Sequence, residues 1–303
     1  MGWRFLGFAH QICFMRRRLS ARCLVFCCLA AGMLLVAAPA RASHRPEIDA
    51  GFRLLYELKF SEARAQFAAW EKLHPDDPLG AAAEAASHLF EEFHAQGVLT
   101  SEFFLDDKRL LGGIAGKADT TQGAAFMAAN RRAQDLARRH LKTNPKDADA
   151  LFALTISIGM QADYASLIEK KQLDSLRLVR EAEDHAKNLL ALAPDSADAY
   201  VALGAANYII GCLPGYKRFF LRFGGIHGDK ARGMQQVQMA ATGGHYLRPF
   251  AKLLLALAAL REKQIELARK QLTELTAEFP QNPLFARELA KLPKPATAIA
   301  SRP

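Results

Sequence analysis

Cysteine is almost missing from the body of this 303-residue chain: Cys13, Cys23, Cys27 and Cys28 lie near the start, and only Cys212 follows. One thiol makes no internal disulfide, and no paired cysteines are present to hold zinc. There is no Gly-x-Ser-x-Gly elbow and no His-Glu-x-x-His stretch, so the common sequence signs of a hydrolase or metallopeptidase are absent. Long apolar runs are absent too, apart from Cys23 to Ala38; no later segment reads as apolar enough to cross a membrane. No catalytic, metal or cofactor residue is therefore expected. Helix packing alone must hold the chain.

The one apolar run has a clear context. Arg16, Arg17, Arg18 and Arg22 precede it, and Ala40-Arg41-Ala42 follows. A basic flank, a short apolar core and a small-x-small site form the layout of a secretory signal peptide. Its sixteen residues are short for a spanning helix, which needs about twenty. Cleavage is expected near Ala42, with Met15 as an alternative start and a retained N-terminal anchor as the alternative to cleavage. Phe26 before Cys27 argues against a lipoprotein box. The expected location is the periplasm or the outside of the cell, with envelope association left open.

Removing this leader takes six of the 40 basic residues and none of the 31 acidic ones, leaving 34 against 31, or +3. The whole-chain charge of +9 thus belongs largely to the export signal and gives no reason to expect nucleic acid.

What the chain does have is a repeat. Pro75, Pro145, Pro194 and Pro280 each close an amphipathic run, and twelve positions before them stand Ala63, Ala133, Ala182 and Ala268. Eight positions before them stand Phe67, Ala137, Ala186 and Leu272. After each proline a new helix is expected within about three residues. Its inner positions would be Leu151 and Leu154, Tyr200 and Leu203, and Ala286 and Leu289; Ala81 and Glu84 fit poorly. Residues 178–208 show the unit best. Leu178, Ala182, Ala186, Leu189 and Leu190 share one helical face. Pro194 then turns the chain, and Asp195 or Ser196 can cap the next helix.

These spacings resemble the tetratricopeptide repeat, a 34-residue helical hairpin with a bulky residue, leucine-glycine, alanine and a closing proline. Tyr200, Leu203 and Gly204 match its first helix; Ala182, Ala186 and Pro194 match its second, as do Ala63, Phe67 and Pro75. Gly51 stands where the pattern has its glycine. The resemblance implies an all-α solenoid of stacked antiparallel hairpins whose concave surface presents side chains to a peptide or protein. Residues 1–42 are then the signal peptide, 43–292 the repeat domain, and 293–303 a flexible tail. From about Asn207 to Leu292 the order of features also resembles a eukaryotic tetratricopeptide family, the inclusion-body clearance proteins. The shared order is an apolar helix, Leu213-Pro214, aromatic and basic residues, Gly225-x-x-Gly228-Asp229, and a last repeat ending in a proline. That likeness implies an adaptor role without enzyme activity.

The spacing of the prolines leaves room for insertions. Residues 97–124 are glycine-rich and read as a loop between hairpins. Gly112 to Lys117 imitates a phosphate loop but has the wrong spacing, Ala118 for the required Ser or Thr, and no strand before it. Asp106 and Asp107 read as solvated acids. Residues 159–176 read as a lengthened helix pair with Tyr164, Leu167 and Ile168 on an apolar face. In 212–233, Tyr216, Phe219, Phe220 and Phe223 interleave with Lys217, Arg218 and Arg222. Either the aromatics fill the core while the cations face water, or the segment binds nucleic acid, anionic lipid or an acidic peptide. Phe219 and Phe223 are expected to turn inward, leaving Lys217, Arg218 and Arg222 as the candidate partner-binding residues. Asp229 should cap the following helix, with His227 in the turn before it. His88 and His94, six apart, are poorly spaced to share one metal ion, and Cys212 is expected to be buried and inert.

The expected function is an exported, non-enzymatic binding or scaffold protein for a peptide or protein partner, with peripheral contact to envelope lipids as an addition. The alternative is an enzyme or a small-molecule or lipid carrier with its site in the 97–124 and 212–233 insertions. Clustered polar groups lining a closed pocket in those insertions would favour the second; an open groove would favour the first.

Overall fold

A computed structural model of the chain describes residues 45–223 and 225–294; the expected signal peptide and most of the expected tail lie outside the described residues. The described helices all belong to one compact unit that begins at Pro46. No strand occurs among the described residues.

Five antiparallel hairpins follow one another. Helix α1 (Pro46–Tyr56) pairs with α2 (Phe60–Leu73). Helix α3 (Pro78–Ala95) pairs with α6 (Thr120–Thr143), with the short helices α4 (Ser101–Leu105) and α5 (Asp107–Gly112) between them. Helix α7 (Ala148–Asp163) runs into a π turn, Tyr164–Ile168, and pairs with α8 (Gln172–Leu192). Helix α9 (Tyr200–Cys212) pairs with α11 (Lys230–Gly243), with α10 (Gly215–Phe223) between them. Helix α12 (Arg248–Arg261) pairs with α13 (Ile265–Glu278), and α14 (Pro283–Ala290) closes the stack. Apart from the short helices α4, α5 and α10, each helix packs on its neighbours in the stack. The architecture is an all-α, tetratricopeptide-like stack with long insertions.

Local chemistry places the helix ends. Asp77, Asp119, Asp147, Asp229 and Asn282 each accept backbone N–H groups at the start of α3, α6, α7, α11 and α14, satisfying donors that lack a partner inside the helix. Leu58 and Lys263 take left-handed conformations at the α1–α2 and α12–α13 corners.

The repeat positions are the contact positions. Ala63, Ala133, Ala182 and Ala268 are all buried, as are Phe67, Ala137, Ala186 and Leu272. A small residue at the first set lets the hairpin partner approach, and interiors this dense feel even one added methylene. Gly51 works the same way: a Cβ there would overlap the Phe67 ring. At Gly204 a Cβ would come within 2.6 Å of the Val237 side chain, so α9 and α11 meet closely only because this residue is glycine.

Four sequence expectations are corrected. Residues 97–124 are not a plain loop; Asp106 caps α5, and Asp107 pairs with Arg261 rather than with water alone. Asp195 and Ser196 do not cap α9, which is entered through a single 3₁₀ turn, Ala197–Ala199. In the last helix, Ala286 faces outward, and Leu284, Phe285 and Glu288 are buried instead. Finally, Ala148–Ile168 is long and apolar enough to cross a membrane by length and composition. Here it packs against α3, α6 and α8, so apolar residues are needed on several sides.

Candidate functional site

The first helix of every hairpin turns the same way. Side chains of α1, α3, α7, α9 and α12 line one chamber of about 240 Å³. Phe52, Phe90, Met160, Ile209, Leu253 and Leu257 are typical of its wall. The 97–124 insertion adds Val98, Leu99, Phe103, Phe104 and Leu110, while no residue of 212–233 reaches it. In an open solenoid these helices would form a concave groove. Here the groove is deepened into a partly enclosed chamber.

Contacts between the two ends of the stack narrow the chamber. Asn282 Nδ2 donates to the Tyr56 carbonyl at 2.7 Å, and Tyr56 Oη donates to the Tyr246 carbonyl at 2.8 Å. The Phe52 ring lies 5.0 Å from that of Tyr246, and Phe90 lies 5.1 Å from Phe250. On the other side, the Ser101 N–H donates to the buried Glu288 carboxylate at 3.0 Å, and the Arg261 guanidinium donates to the Phe104 carbonyl at 3.0 Å. The short helices of the insertion thus act as part of the wall.

Polar groups on the wall are few. Two acids face the space, Asp163 and Asp198. Asp198 accepts backbone N–H groups of His245, Tyr246 and Leu247 at 2.8–3.1 Å; burial outweighs these bonds and holds its carboxyl above the ordinary range. Tyr208 Oη donates toward Glu262 at 3.0 Å, and burial pushes the hydroxyl well up. Thr155 Oγ1 donates to the Leu151 carbonyl at 2.7 Å. Asp163 is different. Its side chain lines the chamber and is exposed to the open space there rather than covered by packed side chains. No hydrogen bond or ion pair among the described residues reaches its carboxyl, and desolvation by the surrounding protein pushes its pKa up to about 7.

Lys217, Arg218 and Arg222 all lie on α10, away from the chamber. Arg218 and Arg222 border a shallow recess with Cys212, Asp229 and Lys230, and Arg218 reaches the Gly211 carbonyl at 3.5 Å. The inward docking expected of Phe219 and Phe223 does not occur. No residue of α10 is buried, and Tyr216, Phe219, Phe220 and Phe223 are 64%, 57%, 69% and 78% exposed. Pro214 and Gly225 break the chain around α10, so it leaves the stack without a partner helix.

His88 and His94 are not brought together. His88 bonds to Gln122 at 2.7 Å, and His94 packs near the Phe60 ring. No group of three or more His, Cys, Asp or Glu among the described residues could hold a metal ion. Cys212 is half-buried, and burial raises its thiol pKa. Sequence reasoning missed the chamber and Asp163. The inner-face positions were legible, but not the contacts that draw the ends together over them.

No protein-family model matches the chain, and no curated protein matches it. A crystal structure of a thermophilic tetratricopeptide-repeat protein from Thermus thermophilus is similar at a TM-score of 0.44 and 12% identity, over 80% of this chain and 95% of that one. The fold class rests on the helix packing described above and not on that likeness. Fold and chamber together define an all-helical, tetratricopeptide-like protein with a deep, largely apolar chamber.

Proposed function

We propose that the protein is a non-enzymatic binding protein that holds an apolar ligand inside its helical stack, and that it works outside the cytoplasm after losing a signal peptide near Ala42. The deep, largely apolar chamber carries this reading. Apolar surface taken out of water contributes about 25 cal/mol per Å², so an apolar guest that covers this wall is favoured over water there. A guest bound to the folded state alone also stabilises it by mass action.

The test is a thermal melt of delipidated mature protein with and without 1-octanol. Octanol should raise Tm and saturate at one site. A Tm that octanol leaves unmoved, with no apolar molecule retained in native mass spectrometry of the purified protein, overturns the reading.

A second reading is favoured by the outward aromatic face of α10. A protein partner, which tetratricopeptide-like stacks commonly engage, would here dock on the outside through that face and its cations Lys217, Arg218 and Arg222. An acidic protein surface or anionic headgroups suit that charge. The resemblance of 207–292 to the inclusion-body clearance family would give this reading an adaptor role. Envelope-extract pull-down with mass spectrometry, run beside an α10 variant, tests it.

A further inference from the structure

We propose that Asp163 is the head-group site of the chamber and selects apolar ligands that carry one amine or hydroxyl donor. This rests on the chamber being a ligand site. It adds what the ligand must look like.

Three observations place Asp163 in that role. First, it stands at the end of α7, where the helix widens into the π turn. Such turns alter the local hydrogen-bond register and frequently occur at functional sites. Second, that turn is locked from outside. The Tyr164 ring stacks 4.9 Å from Phe126, and the Leu167 carbonyl accepts the Ile114 N–H at 2.9 Å from the 97–124 insertion. At Gly113, whose φ is +83°, a Cβ would collide with that same carbonyl, so the glycine permits the clamp. Third, most of the other polar wall groups are spent on internal bonds. Asp198 is held by three backbone N–H groups, Tyr56 and Tyr208 by their hydroxyl partners, and Ser166 by Gln172. Asp163 alone presents an unused carboxyl.

Asp163 is exposed to the chamber with no protein partner among the described residues, so its carboxyl is left for water or for a ligand donor that enters the apolar space. A ligand amine supplies a charge-assisted hydrogen bond and cancels the charge; a hydroxyl supplies a neutral one. A fatty acid offers a second carboxyl and like-charge repulsion. No neighbouring charge acts on Asp163, and Asp198, Tyr56 and Tyr208 are the other titratable groups on the wall.

Octylamine, 1-octanol and octanoate share one chain and differ in head group, so they separate the arms. With wild-type mature protein at pH 8, calorimetry should show octylamine binding at least about tenfold tighter than octanoate. The preference should fade below pH 6 as the carboxyl takes up its proton. Asp163→Asn should lose the amine preference yet still bind octanol, which also shows that it folds. If Asp163→Asn keeps the amine preference, the head-group assignment is wrong while the chamber reading stands. If no octyl probe binds the wild type, both fall.

Discussion

Asn282 joins the last turn of the chain to the first hairpin: its side-chain N–H donates to the Tyr56 carbonyl at 2.7 Å, 226 positions away. The same side chain accepts the Leu284 N–H at 2.8 Å and so caps α14. One residue therefore both starts the terminal helix and ties the two ends of the stack together.

Asn282→Ala should show this double role. Loss of a cap costs about 1 kcal/mol, and a buried carbonyl left without its donor costs about 1–3 kcal/mol. A loss of roughly 2–4 kcal/mol in urea unfolding is expected, with faster hydrogen exchange in both α1 and α14. Exchange that changes only in α14 would mean the bond to Tyr56 does not hold the ends together.

The repeat could be read from sequence because its determinants are local. A proline twelve residues after an alanine fixes a corner and a close contact, and Ala63, Ala133, Ala182 and Ala268 lie buried as that spacing implies. The chamber could not be read this way. It depends on Tyr56 meeting Phe279 and Asn282, and on Ser101 meeting Glu288, pairings set by the accumulated rotation of every hairpin between them. Asp163 was invisible for a related reason: an acid at a helix end is ordinary until the space before it is known. For α10 the composition suggested burial, since aromatic residues at three- and four-residue spacing usually face a core. Periodicity reveals a face but not whether anything covers it.

Gly159 offers a direct way to fill the chamber. It lines the space on α7, and a Cβ there meets nothing within 4 Å. Gly159→Leu gains about 1 kcal/mol of helix propensity and about 1.5–3 kcal/mol from burying the side chain. A rise in Tm on the order of 5 °C is expected, with the octanol shift abolished. A fall in Tm would show that the space is not there to be filled.

Stability should carry the mark of Asp163. Its folded pKa, about 7, lies above its ordinary value of 3.8. Its favourable contribution is thus present at low pH and is lost as pH rises from about 4 to about 7. Asp163→Asn removes that dependence. Its melting temperature should exceed that of the wild type at pH 8 and match it near pH 4. An equal difference at both pH values would mean that desolvation does not govern this carboxyl.

The exposed face of α10 separates the two functional readings. Phe219 and Phe223 stand 5.1 Å apart with their rings edge to face, touching each other more than the stack. Replacing both with Ala should change stability by less than about 0.5 kcal/mol, whereas truncating a core phenylalanine costs about 3–5 kcal/mol. Arg218→Ala with Arg222→Ala should be equally mild, since exposed charges contribute little. Capture of a partner from envelope extract should be lost with the phenylalanine pair. It should weaken with the arginine pair, most at low salt where screening is least. The octanol shift should survive both changes, because no α10 side chain lines the chamber. A phenylalanine variant that unfolds would return α10 to the core. One that captures every partner at wild-type strength would leave the chamber as the sole site.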